Sequence, residues 1–503
     1  MKTWNKAILT MGFFSPLMYA KASWPMPNRG SFNIEDFKFD SGEIIDSLNI
    51  SYQTIGELKV NPDGSNNAVV LLHGTTGSSA QFLVEEFAGA LFNPGQPLDA
   101  DEYFIVMRDA IGHGNSSKPS NTDLRASFPK YQYPDMIRAD HLLMTEHFKL
   151  NRTRLTLGVS MGGMHTWMMG EEYPGFSDAL MPISSSPVEI AGHNRLFRKF
   201  ITELITIDPA WKGGDYEKQP AAGLGGALMI QLVLLSSPSY WQRAFPTREA
   251  VDKYVDEHII PRLEDFDAND QLYAWNASQT YNPKASLKNI KVPLTAVNTA
   301  DDLLNPIELG LLEDGVANDM TPGYGRAVTI PASNETTGHD SYIMADIWKD
   351  ELEKLLARSS PKGRPDDARD GEFESFSHLY SNAEVPNYIM SDSKKGGDLF
   401  DMAKDGTSIP GDAGKQDTIK SVPNPHQRDG EAAGGLGSSD LAGAADNAVL
   451  SASEGREFGV GEGISATGHD IPQSVTGKPG GRGGTQGKED VRRDTGAFAN
   501  REN

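Results

Sequence analysis

No cysteine occurs in the 503-residue chain, which excludes thiol nucleophiles, disulfides and cysteine-ligated zinc. Basic residues are the scarcer charge: 46 Lys and Arg face 69 Asp and Glu, a formal net charge of −23. Nucleic acid and anionic membrane are therefore not expected as the main partner. After the extreme N-terminus no apolar run is long enough to span a bilayer. Aromatics and sustained periodicity thin out abruptly near residue 359, where SSPKGRPDDARDGE opens a long Gly-, Ser-, Asp- and Lys-rich stretch. That stretch holds roughly half of the 51 glycines. It offers too little apolar surface to offset the entropy of ordering it, so 359–503 reads as a disordered tail.

What is present begins with a leader. Lys2 and Lys6 precede an apolar run from Ala7 to Tyr19, and Ala20-Lys21-Ala22 fits a small-x-small cleavage site. Residues 1–22 thus read as a signal peptide, which predicts a secreted or periplasmic protein. Asn-x-Ser/Thr sequons at Asn49, Asn115, Asn151, Asn276 and Asn334 suit such a setting but arise readily by chance.

From 23 to 358 the text alternates strand and helix. ISYQTIG is followed by an Asn-Pro-Asp-Gly turn at 61–64. AVVLLHG, YFIVMRD, RLTLGVS, DALMPIS, LTAVNTA and AVTIPAS are short β-rich runs of the kind buried on both faces of a sheet. QFLVEEFAGALF, DMIRADHLLMTEHF, MGGMHTWMMGEEY and SYIMADIWKDELEKLLARS carry helical periodicity between them. The alternation predicts a mostly parallel α/β sheet with right-handed crossovers. Between about 187 and 285 no strand is legible. AGHNRLFRKFITELITI, GLGGALMIQLVLL and REAVDKYVDEHII instead predict a helical insertion above the carboxyl ends of the strands, where open α/β sheets place ligands.

Gly158-Val159-Ser160-Met161-Gly162 sits where a strand passes into a helix. A serine at such a turn takes a strained backbone conformation, so its neighbours two residues away must lack bulk, and its Oγ is raised above the sheet at a helix N-terminus. Serine needs a base to become a nucleophile, and on this architecture the order is Ser, Asp or Glu, His. Asp301 and Asp302 in NTADDLLNP and His339 in TTGHDSYI follow strands in that order. Asp302 is preferred, and either carboxylate could otherwise be a solvated turn residue. The other histidines lie in helical patterns, in the tail, in the insertion or, like His73 and His113, too early in the chain. Oxyanion donors are expected from the backbone N–H of Thr75, after His73-Gly74, and of Met161. No metal is indicated, because the serine elbow accounts for Asp301, Asp302 and His339 without one.

Together HGTTGSS, RDAIGHGNSSKP, LGVSMGGMHTW, IDPAWKGGDY, DANDQLYAW, NTADDLLNP and TTGHDSY resemble the homoserine O-acetyltransferase branch of the α/β-hydrolase superfamily over about residues 31–357. The resemblance implies an α/β-hydrolase fold with a helical lid and a triad of Ser160, Asp302 and His339. Its aspartate stands four residues before a proline, as Asp302 does before Pro306. It also implies a lid arginine for the amino-acid carboxylate, with a tyrosine seven residues on. Here Leu228 and Leu235 occupy those places. Asp340, after the histidine, does match a family position linked to the substrate amine.

Acyl transfer through an acyl-Ser160 intermediate is the expected chemistry, with a small-molecule ester or acyl substrate as the partner. Loss of the arginine would weaken binding of a charged amino acid, so an esterase-like hydrolase is preferred. The alternative is an acyltransferase of the homoserine O-acetyltransferase type, with acetyl-CoA as co-substrate; no other cofactor is expected. A non-catalytic binding protein on the same fold is the remaining reading, and a homodimer is possible.

Overall fold

The computed structural model describes residues 23–359. The expected signal peptide at 1–22 and, beyond Ser359, the expected disordered tail lie outside the described residues. Ser359 itself belongs to the folded body: its hydroxyl donates to Leu355 O at 2.7 Å and accepts from an Arg154 guanidinium nitrogen at 2.9 Å.

The strands are β1 (Asn28–Lys38), β2 (Ile44–Ile55), β3 (Ala68–Leu72), β4 (Phe104–Arg108), β5 (Leu155–Val159), β6 (Leu180–Ile183), β7 (Leu294–Thr299) and β8 (Gly325–Ile330). They form one eight-stranded sheet in the order β1-β2-β4-β3-β5-β6-β7-β8. Pairing is parallel from β4 through β8 and antiparallel at β1–β2 and β2–β4. Every residue of β3, β4, β5, β6 and β7 is buried, which is why those strands read as unbroken apolar runs. The sequence pattern did not disclose β1. Its polar solvent face and long exposed stretches dilute the alternation that marks a half-buried strand.

The helices are α1 (Tyr133–Leu142), α2 (Met161–Glu172), α3 (Gly192–Ile207), α4 (Ala221–Leu235), α5 (Pro238–Ala244), α6 (Arg248–Tyr254), α7 (Ala268–Asn276), α8 (Leu311–Asp314) and α9 (Lys349–Arg358). Two expectations need correction. QFLVEEFAGALF is not one helix: Val84 is extended (φ −121°, ψ 158°) and separates two short turns at Ser79–Phe82 and Glu85–Gly89. Phe82, Phe87, Leu91 and Phe92 are all buried in the core, so packing on every side overrides the helical pattern. The last helix likewise begins at Lys349, eight residues late, because tight turns at His339–Ile343 and Ala345–Ile347 carry the chain out of the site first.

Helices α3 to α7 lie between β6 and β7, the insertion expected from the sequence. Their core is an apolar cluster of its own, including Ile201, Ile205, Leu224, Leu228, Leu234, Leu235, Leu272 and Trp275. The end of α4 docks on the His339 turn, where Ser237 N donates to Thr337 O at 2.8 Å. Arg243 of α5 reaches Thr336 O at 2.8 Å.

Candidate active site

Ser160 caps α2 with φ 53° and ψ −115°, a sparsely populated conformation that costs on the order of 1–3 kcal/mol. The flanking glycines make the turn possible. A Cβ at Gly158 would fall 1.9 Å from Gly162 O, and one at Gly162 would fall 1.9 Å from Leu72 O. The elbow is thus pressed between β3 and its own helix, and its hydroxyl stands where the α2 dipole favours negative charge.

His339 meets it from the turn after β8. Its Nε2 lies 2.7 Å from Ser160 Oγ, and its Nδ1 lies 2.8 Å from Asp302 Oδ2. Asp302 Oδ1 accepts the Leu304 and Asn305 backbone N–H groups at 2.7 and 3.1 Å, and Oδ2 also accepts the Asn305 side-chain amide at 2.9 Å. Burial alone would raise this carboxyl. The adjoining His339 and the donors from Asn305 and Leu304 outweigh burial, so Asp302 sits below the ordinary carboxylate value. Nδ1–H donating to an ionised Asp302 leaves Nε2 free to accept from the serine hydroxyl. Asp301 turns away: its Oδ2 accepts the Thr336 hydroxyl at 2.9 Å. Ser160, Asp302 and His339 are therefore brought together, and Asp301 is not.

The turn after β3 closes the other side. A Cβ on Gly74 would lie 3.3 Å from Ser160 Cβ, which places the Gly74–Thr75 backbone against the serine. Among the described residues the Thr75 N–H has no protein acceptor, and Met161, first in α2, has an N–H that the helix leaves free. His73 bridges strand ends, with Nδ1–H donating to Gly74 O at 2.8 Å and Nε2 accepting Ala110 N–H at 3.0 Å. Burial first, and then the Arg108 charge, push its imidazole well below the usual value, so it is a neutral strut.

Asp340 follows His339 on the same turn, and burial pushes its carboxyl up to about 6 despite the opposing pull of His339 and Tyr342. Leu228 and Leu235 are 2% and 6% exposed within the lid cluster. Three participants were not legible in sequence: Asn305, which orients Asp302, and Gln81 and Tyr342, which meet beside Gly74. Only Asn305 left a trace, as the asparagine before the proline of NTADDLLNP. No group of three or more His, Asp or Glu side chains among the described residues is arranged to hold a metal ion.

Comparison with known proteins places the fold that carries this site. The profile described as an alpha/beta hydrolase fold matches residues 67–314. A homoserine O-acetyltransferase of Moorella thermoacetica is 32% identical over 355 residues, 61% of this chain and 89% of that protein. A probable acyltransferase of Methanothermobacter thermautotrophicus is 31% identical over 279 residues, 55% of this chain and 84% of that one. Among solved structures, esterase E22 superposes with a TM-score of 0.57 at 18% identity, covering 66% of this chain and all (100%) of that one. At that identity the likeness speaks for the fold alone.

Proposed function

This chain belongs to the homoserine O-acetyltransferase-like branch of the α/β-hydrolase superfamily, and from that premise we propose that it transfers acyl groups through an acyl-Ser160 intermediate, with water as the acceptor. The observation that carries the chemistry is the continuous contact from Ser160 Oγ through both ring nitrogens of His339 to Asp302 at 2.7 and 2.8 Å. In this reading His339 Nε2 takes the Ser160 proton as Oγ attacks the acyl carbonyl. The N–H groups of Thr75 and Met161 hold the oxyanion as it forms, the term that usually contributes most. The C–O bond to the leaving group then breaks, the leaving alcohol receives the proton from His339, and Ser160 is left acylated. Water repeats the cycle: His339 takes its proton, and Ser160 Oγ recovers one as the carboxylic acid departs.

Water is favoured over an amino-acid acceptor because α4 presents Leu228 and Leu235 where the branch's amino-acid acetyltransferases need an arginine and a tyrosine. A buried carboxylate without a bidentate partner loses several-fold to many-fold in binding. The leader-like segment at 1–22 also supports a setting outside the cytosol, away from acetyl-CoA. The acetyl-CoA-dependent reading keeps one supporting feature, the Asp340 carboxylate beside His339.

Hydrolysis of p-nitrophenyl acetate, measured beside acetyl transfer from acetyl-CoA to homoserine, separates the two. Ester turnover without homoserine acetylation is expected, and efficient acetylation of homoserine would overturn the hydrolase assignment. A fluorophosphonate probe is expected to label Ser160 in wild type and nothing in Ser160→Ala. A folded protein that resists the probe would instead be a binding protein on this fold.

A further inference from the structure

The turn that carries Thr75 is held by a run of hydrogen bonds to which the reaction above assigns no task. Gly74 N–H donates to Gln81 Oε1 at 3.1 Å, and Gln81 Nε2 donates to the Tyr342 hydroxyl oxygen at 2.8 Å. Gln81 and Tyr342 are 1% and 2% exposed, so neither can trade these bonds for water. The Gln81 amide fits only this way round, since a flipped amide would set its NH2 against the Gly74 N–H. With its oxygen accepting from Gln81, the Tyr342 hydroxyl ends the run inside the core. Both bonds are therefore polarised in one direction, from the Gly74 peptide to Tyr342, which strengthens each of them.

The end of this run stands at the reacting centre. A Cβ on Gly74 would be 3.3 Å from Ser160 Cβ and 3.7 Å from the Tyr342 hydroxyl. Gly74 and Gly77 bracket Thr75-Thr76, and on its other side the Thr75 carbonyl is held by His113 Nε2 at 2.9 Å. An oxyanion donor contributes only when its direction is fixed before the charge develops. The bond from Gln81 fixes the peptide immediately before the one whose N–H belongs to Thr75.

We propose that Gln81 and Tyr342 are positioning residues that hold the Gly74–Thr75 backbone in its oxyanion-binding orientation, so that they govern turnover and not substrate affinity. The proposal rests on the reading of Ser160 as nucleophile and Thr75 as oxyanion donor.

Tyr342→Phe and Gln81→Met in the full chain should each lower kcat for p-nitrophenyl acetate about 10-fold with KM within about twofold, part of the 10²–10³-fold that a whole oxyanion donor supplies. Affinity for an alkyl trifluoromethyl ketone, which forms a tetrahedral adduct on serine, should fall by the same factor as kcat. The double variant should be no slower than the slower single one, because both cuts sever one chain. Tyr342→Phe removes a single oxygen and serves alone if Gln81→Met does not fold. A rise in KM at constant kcat, multiplying effects in the double variant, or a Tyr342→Phe enzyme within twofold of wild type would each overturn the proposal. Ser160→Ala run in parallel keeps the two claims apart: activity surviving there removes the acyl-serine reading itself, whereas an inert Ser160→Ala beside a normal Tyr342→Phe removes only the relay.

Discussion

Replacing Asp302 by asparagine tests the arrangement most sharply, because the surrounding donors dictate how the new amide must sit. Oδ1 accepts two backbone N–H groups, from Leu304 and Asn305 at 2.7 and 3.1 Å. Those backbone donors cannot move, whereas the two groups on Oδ2, the Asn305 side-chain amide and the His339 ring, can rotate or change tautomer. In Asp302→Asn the carbonyl oxygen therefore stays on the Oδ1 site and the NH2 takes the place of Oδ2. That position faces His339 Nδ1 at 2.8 Å. Two N–H groups cannot point at each other, so the imidazole adopts the tautomer with Nδ1 bare and Nε2 protonated. Nε2–H then faces Ser160 Oγ at 2.7 Å and can no longer accept its proton. A wrong tautomer of this kind lowers kcat by about 10⁴, equivalent to about 5.5 kcal/mol of barrier. In Asp301→Asn the amide oxygen can still accept the Thr336 hydroxyl, so kcat should stay within about threefold. The assay is p-nitrophenyl acetate turnover, with thermal melting to show that both variants fold. An Asp302→Asn enzyme within tenfold of wild type, or an equal loss in Asp301→Asn, would refute the reasoning.

Other expectations concern stability and the extent of the working unit. Gly162→Ala would force a Cβ to within 1.9 Å of Leu72 O, so it should cost more than about 4 kcal/mol in chemical denaturation; a melt unchanged from wild type would mean that the elbow is looser than drawn. Glu171, on α2, has a buried Oε1 with no partner, and burial pushes its carboxyl up to about 8. The folded state therefore binds more protons than the unfolded state between the ordinary glutamate value and about 8, and stability falls as pH rises through that window. Glu171→Gln should raise the melting temperature by about 2 °C above pH 8 and leave it unchanged near pH 4; equal shifts at both pH values would show that titration is not the cause. Truncation after residue 360 retains the Arg154–Ser359 contact, so ester turnover and melting temperature should match the full chain, and an insoluble product would show that the tail is needed.

The buried strands and the elbow were legible because each is set by local chemistry. A strand buried on both faces must be continuously apolar, and Ser160 at φ 53° must have room at positions 158 and 162. The choice of Asp302 over Asp301 was only partly legible. Both stand at the end of β7, and what separates them is the direction of two backbone donors and the Asn305 amide, which sequence order does not convey. Gln81 was hidden for a different reason. It sits in a stretch whose pattern reads as helix, and its partner Tyr342 lies 261 residues away.

The lid explains why chemistry was easier to read than substrate. Nucleophile, base and carboxylate hang from the ends of β5, β7 and β8, so their convergence follows once the sheet order is known. The face that the lid turns toward Ser160 depends instead on how α3, α4 and α7 pack against one another. Leu228 and Leu235 belong to that packing, buried among Ile201, Ile205 and Trp275. A cationic anchor cannot simply be restored by Leu228→Arg, because a guanidinium inside this cluster would be desolvated without a partner, a penalty of several kcal/mol. In this chain the two leucine positions are part of the core of the inserted helices, so those helices would have to be repacked before an arginine there could meet an amino-acid carboxylate.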